Sequence, residues 1–349
     1  MEVSARMPKK IAFLILVALS VSACGPKSLP PIVEQGVVND ERRIQQEMIL
    51  KDYLARVSRV DRVSFQLMTH NLVQCDEYDF LAGVVIMDAG EVYKPYREAA
   101  KVILSMDEKP KVLSLVPGAP AQKAGLQEGD VILSVDGNSV SSASSAGKRL
   151  RKERMATITV QRGEEQLTFS FAQDRACAYP VELKEEKILN AFAFGDRIWV
   201  TSGMVRFCRS DDELALILGH ELAHNTMKHL DAKRDNMRLG SLLIDMPIAA
   251  ITGINPGIGG AIGANAYSQD FETEADYVGL YNTARSGFDI SGVSELWRRM
   301  AVENPDAVYV ATSHPTTAQR FTMLEAAVKE IKAKQAAGQQ LEPNMQQAK

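Results

Sequence analysis

The sequence predicts an α+β fold: a mostly helical domain with a small sheet, interrupted by an inserted, mainly-β domain. Two helical patterns, at residues 211–224 and 269–280, carry His, Glu and Asp within apolar runs. Residues 112–171 instead alternate strand patterns with Pro-Gly and Asp-Gly turns. With 349 residues, 46% of them hydrophobic, the chain can form two or three domains. A net charge of −4 without any basic block argues against nucleic acid as a partner.

The first 24 residues have the features of a targeting segment. Basic residues precede an apolar run at 11–21, which is too short for a spanning helix of about 20 residues. Val-Ser-Ala-Cys at 21–24 resembles a bacterial lipobox. This implies a signal peptide over residues 1–23, lipidation of Cys24 and attachment to the periplasmic side of the outer membrane. Ordinary signal cleavage or an uncleaved anchor is the alternative. Residues 24–39 contain three prolines and predict a tether.

Residues 40–74 have the pattern of a long amphipathic helix. Asp40 is a plausible N-cap. The apolar stripe comprises Ile44, Met48, Leu50, Leu54, Val57, Val60, Val63, Leu67 and Met68. We interpret the segment as a packing helix of the helical domain, with a coiled-coil arm as the alternative.

The inserted domain is predicted over residues 75–174. Residues 112–138 read as a strand, a short helix ended by Gly125, and a second strand. This stretch resembles a PDZ domain of the kind found in periplasmic proteases, which implies a groove that binds extended peptides beside a helix at 141–151. The candidate carboxylate-binding loop, residues 80–83, lies about thirty residues upstream, so a rigid spacer or lid stays the alternative.

The strongest chemical signal is His220-Glu221-Leu222-Ala223-His224, in an apolar helical run for which Asp211 is a plausible N-cap. Positions i and i+4 of a helix share a face, so His220 and His224 can ligate one ion. Zinc lowers the pKa of a bound water to roughly 7, and Glu221 could take its proton. Burying these side chains without a metal or hydrogen-bond partners would be costly, which argues against a chance match.

A second acidic motif, Glu-Thr-Glu-Ala-Asp at 272–276, lies on another predicted helix. A catalytic zinc site usually takes three protein ligands, so a glutamate from this motif would complete the set. Asp276, one turn beyond Glu272, would orient a ligating imidazole. Spacing alone does not choose between Glu272 and Glu274, and a solvated acidic face is the alternative for either.

Together the HELAH motif, the ExxAD helix and a later His-Pro resemble the zinc metallopeptidases related to the CAAX-prenyl endopeptidase and HtpX, in particular their soluble periplasmic, BepA-type branch. The resemblance covers roughly residues 190–320. It implies a gluzincin-type domain with one zinc ion per chain, held by His220, His224 and Glu272. It also implies that Glu221 is the general base.

Further roles are implied by the same resemblance. His314, before a proline, would lie near the zinc as an oxyanion stabiliser or as a plug, and Arg320 would lie close by. A surface histidine is the alternative for His314. A predicted hairpin at 190–203 would align the substrate backbone along Asn190, Ala191 and Phe192, unless it is purely structural.

The cysteines, an apolar segment and the C-terminal tail are the remaining features of the sequence. Cys75 and Cys177 bracket the inserted domain, so a disulfide would pin its two junctions and leave Cys208 free. Residues 239–266 are apolar and glycine-rich, but Asp245 and a proline interrupt them, which favours a mobile flap or a lipid-contacting patch over a span. The metallopeptidase domain should resume at residue 175 and end at residue 335, followed by a polar, frayed tail over 336–349.

The sequence therefore predicts a lipid-anchored zinc metalloendopeptidase in the bacterial periplasm. The resemblance alone implies protein quality control: misfolded or misassembled envelope proteins as substrates, and contact with envelope-assembly machinery. The alternative is a PDZ-bearing periplasmic chaperone or assembly factor whose zinc site is latent or gated by His314. The intact Glu221 argues against it. A purely structural lipoprotein is a third hypothesis.

Overall fold

The structure is a computed structural model that describes residue 28 and residues 30–265, 268–303 and 318–345. Cys24 and His314, both predicted functional residues, lie outside these ranges. The chain divides into two units, residues 1–46 and residues 47–349. The predicted α+β fold class is confirmed.

Helices and strands alternate in the N-terminal half, and helices dominate the C-terminal half. The α-helices are α1 (Gln35–His70), α2 (Arg97–Leu104), α3 (Pro120–Ala124), α4 (Ala143–Leu150), α5 (Ser202–Phe207), α6 (Asp211–Thr226), α7 (His229–Gly240), α8 (Met246–Thr252), α9 (Ile258–Asn265), α10 (Ser268–Arg285), α11 (Val293–Glu303) and α12 (Ala318–Ala336). The strands are β1 (Tyr78–Leu81), β2 (Val84–Met87), β3 (Lys111–Leu115), β4 (Val131–Val135), β5 (Asn138–Ser139), β6 (Met155–Arg162), β7 (Glu165–Ala172), β8 (Asp174–Cys177), β9 (Val181–Lys184), β10 (Ala191–Ala193) and β11 (Ile198–Thr201).

Helix α1 begins earlier than predicted. Its hydrogen bonds start with the Val38 amide and the Glu34 carbonyl, so Asp40 lies inside the helix and is not its N-cap. Ile44 and Met48 of the predicted stripe are exposed, whereas the later stripe residues are mostly buried. The prediction of one continuous packing stripe was wrong at its start, since only the later part of the helix meets a core.

The inserted domain contains a six-stranded antiparallel sheet in the order β2-β3-β4-β6-β7, with β5 paired to β4. Its core is built mainly from aliphatic residues of the strands and of α3 and α4, together with Phe171 of β7. Strand β2 lies at the edge of this sheet. In a separate two-stranded sheet, β1 pairs antiparallel with β8, and a disulfide joins Cys75 to Cys177 at the domain's junctions.

The helical region holds the largest core. It combines the C-terminal part of α1, a three-stranded sheet in the order β10-β11-β9, and helices α6, α10, α11 and α12. After α12, the Leu341 carbonyl accepts from the Arg285 guanidinium and the Asn344 amide donates to the Tyr277 hydroxyl, so residues 341 and 344 both contact α10. The fraying expected over residues 336–349 stays a prediction. Within the described ranges, no helix is long and apolar enough to cross a bilayer.

Candidate metal centre

Helix α6 carries the histidine motif through the core. Its N-cap is Ser210, whose hydroxyl accepts from the Glu213 amide, so the prediction of Asp211 as the cap was off by one residue. Asp211 is the first helical residue and instead accepts hydrogen bonds from Arg59 (2.9 Å) and Arg62 (2.7 Å) of α1. Helix α6 is therefore fixed to α1 at its start, and residues 214–225 are buried.

Two glycines let α6 and α10 cross in backbone contact. A Cβ on Gly219 would lie 2.5 Å from Thr283 Oγ1, and a Cβ on Gly279 would lie 2.8 Å from His220 Cα. Thr283 also donates to the Ala215 carbonyl (3.1 Å), which ties the helices together beside the crossing. This close approach brings the acidic motif of α10 to the histidines of α6.

Three side chains converge at the crossing. The Nε2 atoms of His220 and His224 lie 3.1 Å apart. Glu272 places Oε2 3.5 Å from His220 Nε2 and Oε1 3.4 Å from His224 Nε2. All three residues are buried, as is Glu221 on the same helix as the histidines. The geometry thus selects Glu272 over Glu274 as the partner of the two imidazoles.

Asp276 and Arg320 determine which ring nitrogen of His220 carries the proton. Asp276 Oδ1 lies 3.0 Å from His220 Nδ1, and Arg320 donates to both oxygens of Asp276 (2.6 and 2.7 Å). Burial alone would raise the pKa of Asp276, but Arg320 and His220 outweigh it and lower that pKa. The ionised carboxylate accepts from His220 Nδ1–H, which leaves Nε2 as the nitrogen that faces His224 and Glu272.

His229, which the sequence reasoning missed, orients His224. Its Nδ1 lies 2.9 Å from His224 Nδ1, and its Nε2 lies 2.9 Å from Glu274 Oε2. If Nε2–H is donated to the carboxylate, neutral His229 accepts from His224 Nδ1–H, and His224 Nε2 is left with a lone pair. Phe271 stacks on the His229 ring at 4.8 Å. A third histidine five residues after His224 was the available signal.

This donor set fits a metal cation. Two imidazole nitrogens and a carboxylate offer ligand atoms within 4.8 Å of one another. Burial lowers the pKa of His220, yet Asp276 and Glu272 outweigh burial and raise it to about 10. The surroundings of His220 therefore strongly favour a positive charge, which a metal ion would supply in place of a proton.

A hairpin lies beside this centre. Strands β10 and β11 pair antiparallel, and β10 is the edge strand that contains Ala191 and Phe192 and follows Asn190. Asn225, the residue after His224, accepts from the Gly195 amide (2.7 Å) in the turn and donates to the Arg197 carbonyl (3.0 Å). The hairpin turn is thus clamped to the metal-binding helix by a residue that the sequence reasoning missed.

The inserted domain has a groove between β2 and α4. A cavity of about 240 Å³ lies there, and Phe65 and Met68 of α1 form part of its wall. Of the predicted loop, residues 80 and 81 belong to strand β1, so the prediction of a loop was wrong there, and only residues 82 and 83 form the link into β2. The Gly83 carbonyl accepts from the Val116 amide (2.9 Å). Asp61 also lines the cavity, and burial raises its pKa to about 6 against the opposing charge of Arg151.

Two of the three cysteines in the described ranges are bonded to each other, and the third is buried. Cys75 and Cys177 form the disulfide, and Cys208 is a buried free thiol whose pKa burial raises to about 12. Such a thiol is a poor nucleophile, so Cys208 is a core residue.

Comparison with known proteins agrees with this geometry. Residues 159–328 match the family model described as peptidase family M48, and residues 111–162 match that of a PDZ domain. The chain is 31% identical over 157 residues to the mitochondrial metalloendopeptidase OMA1 of Schizosaccharomyces pombe, covering 42% of this chain and 45% of that protein.

Two bacterial relatives are named beta-barrel assembly-enhancing protease. That of Yersinia pestis is 32% identical over 127 residues, covering 32% of this chain and 26% of the relative. That of Escherichia coli K12 is 35% identical over 117 residues, covering 29% of this chain and 24% of the relative. The chain thus spans less than half the length of each of these relatives. The resemblance read from the motifs is confirmed.

Proposed function

We propose, from the match of residues 159–328 to the model of peptidase family M48, that the chain is a zinc-dependent metalloendopeptidase. The observation that carries the proposal is the convergence of His220, His224 and Glu272 beside a buried Glu221. Two imidazoles and one carboxylate are a donor set of catalytic zinc sites, which keep a fourth position open. When bound there, zinc supplies a Lewis acid and lowers the pKa of a water to roughly 7.

The protein's own residues complete the chemistry. Glu221 follows His220 directly on α6, and its carboxylate takes the proton of the attacking water and passes it to the leaving amine. Asp276, braced by Arg320, fixes the His220 ring, and His229 fixes that of His224. His314 stabilises the developing oxyanion or covers the open position, and the experiment below separates these two roles.

Substrate is held as an extended chain. Strand β10 has a free edge in its sheet among the described residues, so the backbone at Asn190, Ala191 and Phe192 is available to pair with a peptide. The clamp at Asn225 keeps that edge at a fixed position relative to His224. The edge strand β2 of the PDZ domain offers a second docking site for an extended peptide.

We place this activity at the periplasmic face of the outer membrane, through a lipid on Cys24. The relatives named for β-barrel assembly support envelope proteins as substrates and contact with the assembly machinery. We propose that the substrates are misfolded or misassembled envelope proteins.

The test is degradation of casein by the purified protein, with zinc content measured in parallel for wild type, Glu221→Gln and His314→Ala. We expect wild type to hold about one zinc and to cleave, and Glu221→Gln to keep the metal and be inactive. Faster cleavage by His314→Ala would identify a covering histidine, and slower cleavage an oxyanion stabiliser. Zinc-loaded protein that cleaves nothing in any variant would refute the proposal in favour of the chaperone hypothesis.

A further inference from the structure

Residues 239–262, here called the apolar hairpin, run from the last two residues of α7 to the middle of α9. The chain runs through a π-helical turn (Ser241–Asp245) into α8, reverses at 253–257 and returns as α9. Its large apolar side chains are exposed, Ile251 to 86%: they are Leu239, Leu242, Leu243, Met246, Ile248, Ile251, Ile254, Ile258 and Ile262. Nine exposed large apolar residues within 24 positions indicate an interaction site.

The inside of the hairpin is small and polar. A Cβ on Gly259 would lie 2.2 Å from the Gly240 carbonyl oxygen, so α7 and α9 meet backbone to backbone. Asp245 is fully buried between them and accepts from the amides of Gly259 (2.8 Å) and Gly260 (2.9 Å) and from the Ser241 hydroxyl (2.8 Å). The hairpin therefore turns its one ionisable group inward and most of its large apolar groups outward, with Ile244 as the exception because it faces Gly259.

We propose that the apolar hairpin inserts into the surface layer of a lipid bilayer. Helices in lipid associate through small residues that allow close backbone packing, with apolar side chains facing the hydrocarbon. Interfaces with proteins are instead enriched in aromatic residues, methionine and arginine, and of these residues 239–262 contain only Met246. The large exposed side chains are aliphatic apart from Met246, which matches acyl chains, and Thr252 and Asn255 are exposed polar residues at the turn.

The length of the first half of the apolar hairpin, residues 239–252, limits how deep the hairpin can enter the bilayer. This half is called the helical arm. From residue 239 to residue 252 the arm is about 21 Å long, at about 1.5 Å per residue. The hydrocarbon core is about 30 Å thick, so the hairpin enters one leaflet and does not cross. Arg234 and Arg238 at its base each pair with an aspartate, so insertion depends on apolar contact and requires no anionic lipid. Because α7 carries His229 and α10 carries Glu272, the metal centre would work close to the membrane surface.

The test uses tryptophan as a depth probe in the full-length protein. Ile251→Trp replaces an exposed residue of the hairpin, and Met155→Trp is the matched control at an exposed position of β6. Each variant is mixed with phosphatidylcholine vesicles whose acyl chains carry bromine, and with unbrominated vesicles. The fluorescence of Trp199 and Trp297 in wild type is subtracted.

We expect the Ile251→Trp emission to shift to the blue with vesicles and to fall at least twofold with brominated lipid, while Met155→Trp changes in neither. Equal emission of Ile251→Trp in both vesicle types would overturn the proposal. A blue shift that grows with protein concentration in the absence of lipid would overturn it as well, and would assign the hairpin to contact between copies of the chain.

Discussion

The two glutamates of α10 provide a matched pair that tests the metal centre. Glu272→Gln removes a carboxylate that lies 3.4 and 3.5 Å from the two imidazole nitrogens. Glu274→Gln removes the carboxylate two positions after Glu272. This side chain is 42% exposed and contacts His224 only through the ring of His229. Both substitutions keep the size of the side chain, so they differ mainly in what the carboxylate contacts.

Groups that hydrogen-bond to metal-ligating side chains typically contribute 10–100-fold to the affinity for the metal. Since Glu274 acts through an intervening ring and is partly solvated, we expect Glu274→Gln to weaken zinc binding about tenfold, or ~1.4 kcal/mol. Glu272→Gln, which removes a ligand, should weaken it by more than the ~100-fold upper end of that range. Competition against a chelator of known affinity, at fixed pH, measures both, and circular dichroism verifies folding. A larger loss in Glu274→Gln than in Glu272→Gln would refute the assignment of ligands.

Three further predictions concern stability. Because burial raises the pKa of Asp61 to about 6, the folded state favours its protonated form, and the free energy of unfolding falls as pH rises from about 4 to about 6. At pH 8, Asp61→Asn should therefore raise the free energy of unfolding in urea by up to ~3 kcal/mol relative to wild type. At pH 4, the variant and wild type should be equally stable. Gly279→Ala should lower the free energy of unfolding by ~1–3 kcal/mol and weaken zinc binding, because its Cβ meets His220. Gly292→Ala, whose Cβ would have nothing within 4 Å, should do neither. Equal melting temperatures of the two variants would contradict this. Replacing Cys75 and Cys177 by serine should cost ~2–5 kcal/mol, since their bridge closes a separation of 102 residues, and unchanged urea unfolding would show that the bridge does not form in solution.

The sequence was most informative where chemistry depends on local spacing. A four-residue interval on a helix is enough to put His220 and His224 on one face, and strand and turn patterns are enough to identify the inserted domain. The choice between Glu272 and Glu274 depends instead on how α10 crosses α6 at two glycines, which spacing within α10 does not reveal.

His229 and Asn225 were missed for a related reason. His229 lies beyond the end of α6, and its role depends on Glu274 from another helix. Asn225 acts through the turn of a hairpin thirty residues earlier in the chain. The start of α1 was misplaced because Asp40 looks like a cap in sequence, although the helix is already formed before it.

The most direct test of the central claim is the position of the metal in a crystal of the zinc-loaded protein, measured by anomalous scattering at the zinc edge. The account predicts a single strong peak about 2.0–2.2 Å from His220 Nε2, His224 Nε2 and a carboxylate oxygen of Glu272. A peak elsewhere, or no peak between α6 and α10 in protein that contains zinc, would contradict it.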